Sequence, residues 1–123
     1  MAKVLVVDDT EDIRVAISDV LLEAGFEVVG AADGIEALAV LERDKISLVV
    51  SDVNMPRMDG FELVRAIKRR YSRIPVIMAS SADGPTVKMG AFSFGADDYF
   101  VKPFDSEKFI RRVYDLLNYD PAH

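Results

Sequence analysis

The chain has 123 residues, no cysteine and a formal net charge of −6, a length that suits one domain with a real core. The missing cysteines exclude disulfides, thiolate zinc sites and cysteine nucleophiles, and the acidic balance argues against direct nucleic-acid binding by this domain, because phosphate contacts need a basic face. Half of the residues are hydrophobic, which excludes disorder, yet no apolar run approaches the roughly 20 residues that span a bilayer.

In chain order, Lys3-Val4-Leu5-Val6-Val7 reads as a buried strand with no secretion signal ahead of it, so a cytoplasmic domain without a membrane partner is expected. The strand ends in the carboxylate pair Asp8-Asp9. Thr10 is placed to cap a helix with Ile13, Ile17, Val20 and Leu21 on its apolar face, and Gly25 stops it. Glu27 to Ala31 reads as the second strand. Asp33-Gly34-Ile35-Glu36 has capping-box spacing for a helix that continues to about Arg43, with Gly34 in its first turn. The β-branched run Ile46 to Val50 is the third strand, closed by Asp52 and then by Met-Pro and Asp-Gly turn signals. A third helix is expected from about Phe61 to Tyr71, with Phe61, Val64 and Ile67 inward. Pro75 to Ala79 makes the fourth strand and ends in Ser80-Ser81. A fourth helix begins near Pro85 and stops at Gly95; with Asp83, Gly84 and Gly90 in or beside it, a short or mobile helix is expected. Tyr99-Phe100-Val101 is the fifth strand, and Asp105 caps a last helix ending near Leu117. The expected tail is loose from Asp120 to His123.

Five such units make a doubly wound α/β fold, a parallel sheet covered by helices on both faces. Asp8, Asp9, Asp52, Ser80 and Lys102 all fall at carboxyl ends of strands, which a right-handed winding brings to one edge. Three carboxylates held together repel unless a cation neutralises them. An all-oxygen cluster suits a hard divalent ion, Mg²⁺ above all. A lysine and a hydroxyl beside it suit an anion, and a phosphoryl group is the anion that Mg²⁺ best serves.

Over nearly its whole length the chain resembles the receiver domain of two-component response regulators, in the manner of the chemotaxis regulators. The resemblance is carried by Val6-Val7-Asp8-Asp9, by Asp52-Val53-Asn54-Met55-Pro56-Arg57-Met58-Asp59-Gly60, by Pro75-Val76-Ile77-Met78-Ala79-Ser80, by Gly95-Ala96-Asp97-Asp98-Tyr99 and by Lys102-Pro103-Phe104. It implies a flavodoxin-like (βα)5 fold with strand order 2-1-3-4-5 and a receiver spanning residues 1–119. It also implies that Asp52 accepts a phosphoryl group from the phosphohistidine of a sensor histidine kinase or a phosphotransfer protein. By the same match Asp9 would bind Mg²⁺ directly, Asp8 partly through water, and Asn54 through its backbone carbonyl. Lys102 would pair with the phosphate, Ser80 would hydrogen-bond it, and Tyr99 would change rotamer on switching. The chain's single histidine, His123, leaves it no ordinary way to be its own kinase, so it is half an enzyme that catalyses its own phosphorylation and dephosphorylation. A cis peptide is expected between Lys102 and Pro103, directing the lysine back towards Asp52.

The expected output surface is the fourth helix, fifth strand and fifth helix. Phosphate at Asp52 would draw the Ser80 hydroxyl inward, and Tyr99 would turn from an exposed to a more buried position, presenting that face to a downstream protein or a linked output domain. Lys88, Asp97 and Arg112 match charges used for homodimerisation in receivers of the winged-helix transcription factors, although Lys108 stands at one expected acidic position. The basic run Lys68-Arg69-Arg70 with Arg73 reads as a solvated helix end, and Met55 and Met58 as packing residues. Three other functions compete. A metal-dependent phosphatase with an aspartate nucleophile would want a second aspartate where Asn54 stands. A flavin domain would want a hydroxyl-rich loop in place of Asp8-Asp9-Thr10-Glu11-Asp12. A receiver-shaped interaction module that is never phosphorylated would have no need of the complete set of five site residues.

Overall fold

In the computed structural model, which describes residues 2–118, continuous apolar runs along the central strands feed two separate cores. The strands are β1 (Lys3–Val7), β2 (Glu27–Ala31), β3 (Leu48–Ser51), β4 (Val76–Ser80) and β5 (Asp98–Val101). The helices are α1 (Glu11–Glu23), α2 (Gly34–Arg43), α3 (Gly60–Arg70), α4 (Pro85–Phe94) and α5 (Ser106–Leu116). All strand pairs are parallel and the sheet order is β2-β1-β3-β4-β5, as the resemblance implies. The tail at 120–123, with His123, lies outside the described residues.

Successive strand side chains point to opposite faces. Leu5, Val7, Val49, Val76 and Met78 therefore join α2, α3 and α4 in one core, while Val4, Val6, Leu48, Val50 and Ile77 join α1 and α5 in the other. The central strands β1, β3 and β4 are apolar on both faces, as buried parallel strands must be. Phe109 of α5 is fully buried and meets Phe100 and Phe104 edge-on or tilted, at ring-centroid distances of 5.6 and 4.8 Å.

Several expected boundaries move for local reasons. β3 starts at Leu48: Ile46 is buried in the core but lies in the connection ahead of the ladder. β4 extends through Ser80, which is fully buried, whereas Ser81 is exposed. α3 begins one residue early, at Gly60, because the Asp59 carboxylate accepts the Glu62 N–H at 2.9 Å and caps the helix there. Thr10 occupies the cap position of α1 without a side-chain cap bond; its own N–H instead donates to Asp8 Oδ1 at 2.9 Å. α4 runs for 10 residues, as long as α2, so the fourth helix is not shortened by its glycine.

The basic end of α3 is not simply solvated. Lys68 Nζ donates to the Ile74 carbonyl at 2.7 Å and to Asp97 Oδ2 at 2.9 Å, and the same carboxylate oxygen accepts the Val76 N–H at 2.8 Å. This network pins the start of β4 to the loop before β5. The lysine stem passes so close to Gly95, the left-handed C-cap of α4 at φ 115°, that a Cβ there would lie 2.8 Å from Lys68 Cγ. Arg70 reaches Glu42 on α2 at 3.2 Å. Lys88 and Arg112 also have partners within the chain, Asp83 at 3.7 Å and Asp98 at 2.8 Å.

Candidate functional site

The parallel winding delivers the expected residues to one edge. Asp8 follows β1, Asp52 follows β3, Ser80 ends β4 and Lys102 follows β5. One carboxylate oxygen from each of Asp8, Asp9 and Asp52 lies within 4.8 Å of the other two, with Asp8 buried, Asp9 exposed and Asp52 between. Asn54 is exposed in the loop two residues beyond Asp52. The Lys102–Pro103 peptide is cis, as expected. The lysine differs from expectation in its nearer partner: Nζ lies 2.7 Å from Asp8 Oδ2 and 3.8 Å from Asp52 Oδ2. Asp8 is 1% exposed and Lys102 reaches it across the strand ends, so the most buried carboxylate takes the cation.

Asp52 is held from three sides. Its N–H donates to the Val7 carbonyl at 3.0 Å, the Ser51 hydroxyl donates to its carbonyl at 2.9 Å, and its Oδ1 accepts the Val53 N–H at 2.7 Å. Oδ2 is left facing Lys102. Burial raises the carboxyl above its ordinary value; the Lys102 charge opposes this, the Asp8 charge reinforces it, and the Ser80 hydroxyl and Val53 N–H pull it down. A divalent ion among these carboxylates would remove the repulsion from Asp8.

The Ser80 hydroxyl oxygen accepts the Ala82 N–H at 3.3 Å, and the Tyr99 hydroxyl donates to the Ala82 carbonyl at 2.6 Å. One residue thus ties the expected switch pair together. Tyr99 is buried, whereas the expected rotation starts from an exposed position. Burial also raises the Tyr99 hydroxyl above its ordinary value. Met55 is buried and Met58 packs over Gly34 at the start of α2, both as packing residues.

One contact had no sequence signal. Arg57, between the two turn signals, adopts a left-handed φ of 68° and donates through Nε to Asp33 Oδ2 at 3.0 Å, with Nη2 on the same oxygen. Asp33 is buried and also caps α2 by accepting the Glu36 N–H at 2.9 Å. That N–H, and then the Arg57 guanidinium, hold its carboxyl below the ordinary value. Because the folded-state pKa is lowered, the contribution is full above the unfolded value and is lost as pH falls through the folded one. Asp33→Ala should therefore cost about 1–2 kcal/mol at neutral pH. Urea midpoints of the two proteins should converge as the pH falls below the ordinary carboxylate range; a gap that stays constant with pH would show the carboxylate charge to be irrelevant.

Residues 4–114 match the response regulator receiver domain family. The response regulator protein FleR of Pseudomonas aeruginosa is 43% identical over 116 residues, 94% of this chain and 24% of FleR. The alkaline phosphatase synthesis transcriptional regulatory protein PhoP of Bacillus subtilis is 36% identical over 115 residues, 94% of this chain and 48% of PhoP. The chain spans a quarter to a half of the length of these relatives. Among solved structures, the chemotaxis protein CheY4 of Vibrio cholerae superposes with a TM-score of 0.88 at 41% identity, covering 94% of this chain and 98% of that one. The receiver domain of the Francisella response regulator 1452 does so with a TM-score of 0.89 at 34% identity, covering 96% and 98%. With its flavodoxin-like sheet and its strand-end aspartates, the chain belongs to the response regulator receiver domains of two-component systems.

Proposed function

We propose that this receiver accepts a phosphoryl group on Asp52 from the phosphohistidine of a sensor histidine kinase or phosphotransfer protein, in a reaction that requires Mg²⁺. The observation that carries the reading is the meeting of Asp8, Asp9, Asp52 and Lys102 at one sheet edge of a receiver domain. The carboxylate donor set fits Mg²⁺, with the Asn54 backbone carbonyl as a further ligand. When bound, the ion supplies positive charge against the phosphoryl oxygens.

The chain's own residues do the rest. With Oδ1 engaged by the Val53 N–H, Oδ2 of Asp52 is the nucleophile. Its bond to phosphorus forms as the donor's P–N bond breaks, and the departing imidazole keeps the electron pair and takes up a proton. Lys102 faces the incoming oxygens, and Ser80 offers its hydroxyl to one of them. The loose transition state of such a transfer asks for positioning and charge, which is what this site supplies. Incubation with acetyl phosphate and Mg²⁺, followed by mass spectrometry, tests the proposal: the protein should gain one phosphoryl mass. No gain would leave a receiver that works as an unphosphorylated interaction module. The comparisons favour neither a phosphatase nor a flavin domain.

The output face is α4, β5 and α5. Tyr99 and Ser80 share the Ala82 peptide, so withdrawal of the Ser80 hydroxyl to a phosphate frees the loop that leads into α4. Met89 and Phe92 of α4 stand exposed there, at 69% and 48%, as contacts for a downstream partner or for an output domain such as the transcriptional relatives' names suggest. Homodimerisation has less support, because Lys88, Asp97 and Arg112 each have a partner within the chain. Addition of beryllofluoride and Mg²⁺ should change amide exchange across residues 83–104. Changes confined to α1 and α2 would refute this output face.

A further inference from the structure

Gly30 stands in the interior of β2, where a glycine weakens a strand and marks a close approach. The neighbour is Arg14 of α1. A Cβ on Gly30 would lie 3.1 Å from Arg14 Cδ and 3.4 Å from its Nε, so the arginine stem is seated on bare backbone. From that seat Nη1 donates to the carbonyl oxygen of Asp8 at 2.7 Å.

This bond completes the restraint of Asp8. Its N–H donates to the Ala31 carbonyl at 3.1 Å, its Oδ1 accepts the Thr10 N–H at 2.9 Å and its Oδ2 accepts from Lys102 at 2.7 Å. Only Arg14 holds the carbonyl among the described contacts. That carbonyl belongs to the planar peptide unit joining Asp8 to Asp9. Its direction sets the plane from which the exposed Asp9 side chain departs, while Asp8 itself is already fixed by β1 and β2.

We propose that Arg14, seated over Gly30, is a positioning residue for the divalent-cation site: it orients the Asp8–Asp9 peptide so that the Asp9 carboxylate faces Asp52 beside that of Asp8. The inference rests on the reading that these aspartates hold Mg²⁺. Groups that orient metal ligands from behind are worth ten- to a hundredfold in metal affinity. Arg14 acts through a backbone unit rather than on a ligand atom, which places its effect at the lower end.

The test is a calorimetric Mg²⁺ titration of the intact protein and three variants, each first checked for cooperative urea unfolding. Arg14→Met keeps the apolar stem and removes the donor; it should weaken Mg²⁺ binding about tenfold. Gly30→Val unseats the stem and should weaken binding in the same direction. The double variant should bind no more weakly than Arg14→Met alone, because both changes break one contact. A readout without metal accompanies these: Thr10, whose N–H lies against Asp8 Oδ1, should show faster amide exchange in Arg14→Met. Should Arg14→Met fail to fold, Arg14→Lys keeps a charged donor of shorter reach and takes its place, with an intermediate loss of affinity expected.

Wild-type affinity in Arg14→Met, or in Arg14→Lys where it stands in, overturns the inference while leaving the cation site intact. Additive losses in the double variant overturn the seating over Gly30. A wild-type protein that binds no Mg²⁺ removes the cation reading itself and the inference with it, and this is seen before any variant is compared.

Discussion

The Asp52→Asn protein should gain no phosphoryl mass from acetyl phosphate and Mg²⁺ under conditions that label the parent. The amide matches the carboxylate in shape but is no nucleophile, and no second carboxylate is so placed. Asp8 is buried with Lys102 on its Oδ2 and the Thr10 N–H on its Oδ1, and Asp9 is exposed at the rim. The same variant should be more stable than the parent in the absence of metal. Burial raises the Asp52 carboxyl above its ordinary value. A raised carboxyl pKa means that the ionised form costs stability at neutral pH, a cost relieved as pH falls through the folded-state value. Asp52→Asn removes that cost, and Lys102 keeps its closer partner, Asp8. A gain in stability at neutral pH is expected, shrinking on acidification and measured from urea midpoints. Substantial labelling of the variant would move the acceptor elsewhere, and a loss of stability would show Asp52 to be better satisfied than its surroundings suggest.

Gly60→Ala should cost about 3 kcal/mol and should blunt phosphoryl acceptance as well. A Cβ on this first residue of α3 would stand 2.1 Å from the Asp52 carbonyl oxygen, 2.6 Å from Met78 Cε and 2.9 Å from Val53 Cα. The Met78 methyl can swing aside, but the other two contacts are backbone. Relief therefore requires α3 to back away from the loop after β3. That movement would draw out Leu63, Val64 and Ile67, all at 0% exposure, and would break the 2.7 Å bond from the Gly60 N–H to the Val53 carbonyl. It would also shift Asp52. A fall in the urea midpoint with reduced labelling at saturating Mg²⁺ is the expected pair of results. An unchanged midpoint would mean that the loop yields more easily than two backbone contacts allow.

The strands and their shared edge were legible because both follow from period and punctuation. Val4 to Val7 and Leu48 to Val50 are apolar at every position, as strands covered on both faces must be, and each stops at a polar residue. Once five strands run parallel, their carboxyl ends must meet, so Asp8, Asp52, Ser80 and Lys102 could be gathered with no coordinates at all. Long-range side-chain partners carry no such signal. That Lys102 lies nearer Asp8 than Asp52 is a matter of rotamer and burial. Arg57 pairs with Asp33 and Lys68 with Asp97 across separations of 24 and 29 residues, and no periodicity links either pair. Nothing around Gly30 in the sequence marks the Arg14 stem that packs against it, 16 residues away.

The Ala82 peptide has a consequence for how this domain can be altered. Both bonds that join Ser80 to Tyr99 end on main-chain atoms, the N–H and the carbonyl of one residue. The side chain at 82 is a bystander to them. An alanine scan would pass over the position, since it is already alanine, and most replacements there would leave both bonds in place. The residue is therefore free to be reshaped for other ends, such as crowding or opening the mouth of the site, without uncoupling its two neighbours. Only proline, which lacks the N–H, would remove one of the two bonds directly. Side-chain mutagenesis would see the connection only at its two ends, the Ser80 and Tyr99 hydroxyls.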